Sequence, residues 1–230
     1  MAEESIERTQ KKPKGAFHIP CDILKTLLVS LVLSIIVEWL CIAFIWPEQG
    51  YMHSKKIMME EFQFFSQDFQ QSILYANPVI LGKWVLNQTY YWLFQFTGIE
   101  QWLQNPGSNE FMHTIAYYLN SYIQSALYVT MTFIIRVLII LFTSPFFLLA
   151  GLIGLVEGLV QRDLRRFGIG RESAFKYHHA KKWVMPSMLV AWVIYLSVPF
   201  SVHPNIILIP AGLLFGLTIA FTVTNFKKYL

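Results

Sequence analysis

The sequence predicts an all-α polytopic membrane protein: four transmembrane helices plus an external helical segment. Three observations carry this. Four apolar runs, Leu24–Trp46, Val137–Val156, Trp183–Phe200 and Ile206–Thr224, are each about long enough to cross a hydrocarbon core of roughly 30 Å as a helix. Of the 230 residues, 55% are hydrophobic and 14% charged, against about 25% charged in a soluble domain. Most of the positive charge lies in segments on one side of the runs.

Residues 1–23 form a polar, basic arm interrupted by Pro13 and Pro20, with Arg8, Lys11, Lys12 and Lys14. The arm reads as disordered and cytoplasmic. The first span, 24–46, is too long for the apolar region of a signal peptide. Trp46-Pro47-Glu48 is not a small-residue cleavage site either, so it reads as a retained anchor. Cys21 and Cys41 sit at its two ends, about 30 Å apart along a helix, too far for a disulfide.

Residues 47–128 are expected outside, in the periplasm, because acids there outnumber bases. Met58, Phe62, Phe65, Phe69 and Ile73 recur at steps of three and four. That spacing predicts an amphipathic helix over 54–75, with Glu60, Glu61, Gln63, Gln67, Asp68 and Gln71 on its wet face. A second aromatic stretch, Trp84–Trp102, follows Pro78. These aromatics read either as packing against each other or the outer leaflet, or as a docking face built from Phe62, Phe65, Phe69, Trp84 and Trp92.

Asn105-Pro106-Gly107-Ser108 marks a turn, and Ser108 or Asn109 is placed to cap the next helix. From 109 the absence of Pro and Gly predicts one helix running into the second span, 129–156, with a kink at Pro145. The loop 157–182 holds Arg162, Arg165, Arg166, Arg171, Lys176, Lys181 and Lys182. The third and fourth spans, 183–200 and 206–224, are joined by a turn at 201–205 so short that they must form an antiparallel hairpin. The tail, 225–230, carries Lys227 and Lys228. By the positive-inside rule the arm, the basic loop and the tail are cytoplasmic, which places both termini inside.

Glu38 and Arg136 are ionisable, opposite in sign and at comparable depth in the first and second spans. Such residues face the bundle interior and find partners. A Glu38–Arg136 contact is expected, direct or through water. It reads as a register-fixing pair or, more sharply, as part of a proton or solute relay. Gly151, Gly154 and Gly158, with Gly212 and Gly216, predict close helix approach, within the chain or between copies.

No catalytic site, cofactor or metal is expected. HExxH, CxxC, GxSxG and P-loop motifs do not occur, and the adjacent His178 and His179 point apart on a helix. The basic loop either enforces topology at anionic headgroups or docks an acidic partner. Nucleic-acid contact is not expected, and would be nonspecific and salt-sensitive.

Four segments carry a resemblance. They are Gly158–Ser173, Tyr177-His178-His179-Ala180-Lys181-Lys182, Pro199–Asn205 and Phe226-Lys227-Lys228-Tyr229-Leu230. Through them the chain resembles a family of bacterial inner-membrane proteins encoded in integrating conjugative elements and genomic islands. That family accompanies type IV secretion genes, including a coupling ATPase. The resemblance covers about residues 20–230 and brings no catalytic residues with it. It implies a multi-pass protein of the Gram-negative inner membrane and a conjugation context.

The expectation is thus a non-enzymatic component of a conjugative DNA-transfer system. Its partners would be the bilayer, secretion or coupling proteins at Arg162, Arg165, Arg166, Arg171, Lys181 and Lys182, and further copies of itself. The alternatives are an exclusion or envelope-interaction factor and a small transporter using Glu38 and Arg136.

Overall fold

The computed structural model describes residues 18–74, 77–99, 101, 110–167 and 174–226. Among them the regular structure is all helical: α1 (His18–Phe44), α2 (Tyr51–Asp68), α3 (Pro78–Tyr90, followed by a π-helical turn Tyr91–Phe96), α4 (Glu110–Phe167), α5 (Ala174–Ser197) and α6 (Pro204–Thr224). Residues 1–17 of the arm, the turn at 105–108, residues 168–173 between α4 and α5, and the last four residues lie outside the described residues, whereas 18–23, expected in the disordered arm, are the start of α1.

α4 is the axis of the fold. Its 58 residues would rise about 87 Å if straight. It continues through Pro145, where the missing N–H would leave the Leu141 carbonyl without its helical donor. Ser144 Oγ donates to that carbonyl at 2.7 Å, the usual hydroxyl repair inside an apolar helix. α4 also runs past Gly158 to Phe167, so the first part of the expected cytoplasmic loop is helix.

α1 lies along the first half of α4: Trp39 Nε1 donates to the Tyr122 carbonyl at 3.0 Å. The seam that α1 buries is Ser30, Ser34, Glu38, Cys41 and Ile42, while Leu28, Val32, Ile36, Leu40 and Phe44 face outward. A helix with polar groups inside and large apolar groups outside is built for a hydrocarbon surround.

α6 lies along the second half of α4, and there the small residues meet. A Cβ added at Gly154 would overlap the Gly216 carbonyl, and one at Gly158 would lie 2.7 Å from the Ala220 carbonyl. The glycine pattern therefore serves intramolecular packing. α6 buries Leu208, Ala211, Gly212 and Gly216 and exposes Ile206, Leu213, Leu214, Leu217 and Phe221. From Tyr122 to Gly158 α4 rises about 54 Å, so its two flanking helices are offset along it.

α2 turns back beside α4. Gly50 (φ 50°) makes the turn possible, and the Tyr51 N–H then donates to Ser121 Oγ at 3.1 Å. α2 is shorter than the expected 54–75: it ends at Asp68, and Ile73 is 91% exposed. α3 starts with Pro78 at its first turn and packs beside α2, with the Phe65 ring seated where Gly82 has no side chain.

Among the described residues, three helices are long and apolar enough to cross a membrane: α1 (Leu24–Phe44), α4 (Leu119–Arg165) and α6 (Pro204–Thr224). The expected third span is not among them. α5 ends at Ser197, so its apolar part after Lys182 rises about 22 Å, less than a hydrocarbon core.

Candidate functional site

The polar seam of α1 meets the buried faces of α2, α4 and α5 and forms two linked polar clusters. Their ionisable members are almost fully enclosed: Glu38 is 2% exposed, Glu61 0% and Arg136 3%.

The first cluster is centred on Glu61. Arg136 donates to its Oε1 through Nη2 at 2.7 Å and Nε at 3.1 Å. Tyr195 Oη donates to Oε2 at 3.0 Å. Arg136 also donates through Nη1 to the Val198 carbonyl at 2.6 Å and through Nη2 to the Phe200 carbonyl at 2.9 Å. Those carbonyls directly follow α5, where a cation complements the helix dipole and meets acceptors the helix leaves open. The guanidinium carbon lies 5.4 Å from the Tyr195 ring centroid. One arginine thus ties α2, α4, α5 and the α5–α6 turn together.

The second cluster is centred on Glu38. Ser54 Oγ donates to Glu38 Oε1 at 2.6 Å, His53 Nδ1 lies 3.2 Å from the same oxygen, and Ser54 and Ser125 hydroxyls are 2.9 Å apart. His53 stacks on Trp46, ring centroids 4.0 Å apart. Below Glu38, Ser34 Oγ donates to the Leu196 carbonyl at 2.9 Å, and the Ser30 and Ser197 hydroxyls lie 3.1 Å apart.

Between the clusters is a cavity of about 20 Å³, lined by Glu38, Ser54, Thr132 and Arg136 among others. It has room for about one water. The expected Glu38–Arg136 contact is therefore not made directly: Glu61 occupies the guanidinium, and Glu38 turns to α2. The two residues share the walls of the cavity, which leaves the water-bridged form geometrically open.

Glu61 is the residue that sequence reasoning missed. It was expected on the wet face of α2 beside Glu60. The buried stripe is instead Ser54, Ile57, Glu61 and Phe65. Ile57 and Phe65 lie one helical turn either side of Glu61, and that placement was the available signal.

The other expected site residues divide. Phe65 is fully buried, and Phe62 and Phe69 pack against the same core. The Phe65 and Phe69 rings lie 6.0 and 6.1 Å from Phe142 of α4. Phe65 and Phe69 thus pack toward α4, Phe65 fully enclosed and Phe62 and Phe69 half-buried. Trp84 (63%) and Trp92 (54%) are exposed. At the other end, Arg162 and Arg165 lie on the last turns of α4, and Arg162 sits 3.6 Å from Asp163. Lys181 and Lys182 are exposed on α5. The Thr224 hydroxyl reaches the Gly158 carbonyl (3.5 Å), and Ala180 and Trp183 line a cleft with Phe221. These contacts put Arg162, Arg165, Lys181 and Lys182 at one end of the bundle. The Arg166 side chain and all of Arg171 lie outside the described residues.

α2 is fixed a second time at its C-terminal end. His203 Nδ1 accepts from the Asn205 N–H (3.4 Å), which turns Nε2 toward α2. That Nε2 is 3.6 Å from Asp68 Oδ2, and Asn205 Nδ2 donates to the same oxygen at 3.4 Å. Apart from the local His203–Asn205 cap, these polar contacts join separate helices or turns, so the arrangement sets helix register.

A family model described as "IncC plasmid conjugative DNA transfer protein DtrJ-like" matches residues 45–227. This agrees with the resemblance to a conjugative-element family. No curated protein and no solved structure matches the chain.

Proposed function

The chain belongs to the DtrJ-like family, whose role is in conjugative DNA transfer, and from that premise we propose that it is a non-enzymatic inner-membrane component of the transfer apparatus. It acts through protein contacts. Its four spans are α1, α4, α5 and α6, with both termini cytoplasmic. α5 is short for a span, but α6 crosses only if its hairpin partner returns beside it, and Lys181 and Lys182 extend to the headgroups from its cytoplasmic end.

The observation that carries this reading is the use made of the buried polar groups. Glu61, Arg136 and Tyr195 spend their donors and acceptors on one another and on the α5–α6 turn. A transport path needs a continuing series of polar groups across the span. Here the series closes on a cavity of about 20 Å³.

The partner surface on the cytoplasmic side is the basic end, Arg162, Arg165, Lys181 and Lys182, and its partner is the coupling ATPase. The test is a crosslinked pull-down of the tagged chain from a host expressing the transfer system. Recovery of the ATPase, lost when Arg162 and Arg165 are changed to Glu, supports the assignment. Recovery of the chain alone refutes it.

A further inference from the structure

A trough runs between α5 and α6 and is lined by those two helices alone. Its volume is about 480 Å³ and its walls are almost wholly apolar. Pro186 and Pro210 both line it, and Ala191 and Ala211 keep its floor low. Toward the basic end it passes into a second cleft of about 330 Å³, which shares Trp183 and Leu214 with it and reaches Phe221. From Ile207 to Phe221 the two clefts follow about 21 Å of α6.

A helix of that length, 10–12 Å across, would fill about 2,000 Å³. A few hundred cubic ångströms of narrow trough suit a single hydrocarbon chain instead. The trough also ends in a particular way. Trp183 stands at its mouth, 65% exposed, and the two residues before it are exposed lysines. An indole favours the headgroup level, and lysines at the same end of α5 attract anionic headgroups. Arg162 and Arg165 add positive charge at the same end.

We infer that the trough is a binding site for an anionic phospholipid, with one acyl chain between α5 and α6 and the phosphate drawn to the basic end, where Lys181, Lys182, Arg162 and Arg165 supply the positive charge. This rests on the reading that the α5–α6 hairpin lies in the bilayer.

The test is native mass spectrometry of the full chain, purified from vesicles of phosphatidylethanolamine and phosphatidylglycerol in equal parts. The expected result is retention of phosphatidylglycerol over phosphatidylethanolamine. Retention should fall about tenfold in the K181Q/K182Q double variant and also in Val190→Phe, which fills the trough from an exposed position. Circular dichroism checks that both variants keep the wild-type helicity. Equal retention of the two lipids overturns the inference. So does a loss in the lysine variant that Val190→Phe does not reproduce, because the attraction would then be surface charge alone. Carbonate extraction of the source membranes separates the two levels of argument. Release into the soluble fraction overturns the membrane reading and this site with it. A chain that stays in the pellet but shows no lipid preference overturns the site alone.

Discussion

Replacing Arg136 by Met tests whether the buried ion pair is a brace or a working part. The change keeps an unbranched apolar stem and removes the guanidinium. Glu61, at 0% exposure, then loses its cation and keeps only the Tyr195 hydroxyl. The Val198 and Phe200 carbonyls lose their donors as well. Removing one partner of a buried pair costs about 3–5 kcal/mol, because the remaining charge has no compensation. For a chain of this size that corresponds to a fall in melting temperature of about 10 °C. The assay is thermal unfolding of detergent-purified protein, run in parallel with conjugation frequency. The double variant E61L/R136M removes both charges and fills the space with apolar atoms, so it should recover most of the lost stability. If the pair is a brace, DNA transfer recovers with stability. The reasoning is refuted if Arg136→Met melts within 2 °C of wild type. It is refuted equally if the double variant is stable but still fails to support transfer.

Gly154→Leu should drive α4 and α6 apart, since even a Cβ there overlaps the Gly216 carbonyl. A melting shift to lower temperature, equivalent to at least about 1–3 kcal/mol, is expected. Ser54→Ala removes the 2.6 Å donor to buried Glu38 and should cost about 1–3 kcal/mol, read in the same assay. Phe65→Ala should cost about 3–5 kcal/mol, whereas Trp84→Ala, at an exposed position, should change stability by under about 0.5 kcal/mol. If Trp84→Ala nonetheless abolishes DNA transfer, the exposed face of α3 carries a partner contact.

Much of the fold was legible because the signals were local. Run length marked α1, α4 and α6, and the five-residue turn forced the α5–α6 hairpin. The cost of a charge in hydrocarbon marked Glu38 and Arg136 as residues in need of partners. Which partner each would find was not legible. Periodicity assigned the phenylalanines of α2 to the dry face correctly, but it also sorted Glu61 with its charged neighbour Glu60. A buried carboxylate looks like a wet one until the arginine opposite is known. The heights of the helices were hidden for a similar reason: apolar runs give lengths, while the offset of α1 against α6 along α4 depends on which glycines and serines meet. α5 fell short because its helix stops at Ser197, before the apolar run does.

The unbroken course of α4 makes it a lever. A loop between compartments absorbs a displacement, but a hydrogen-bonded helix transmits it. Between Arg165 and Arg136 the helix is continuous, its hydrogen-bond ladder interrupted at Pro145, so a displacement of one end is passed toward the other through that point. There Arg136 holds Glu61 of α2, one of several contacts that couple α2 to the rod. The ion pair that fixes register is thus also a point where a displacement of the basic end of α4 would reach α2.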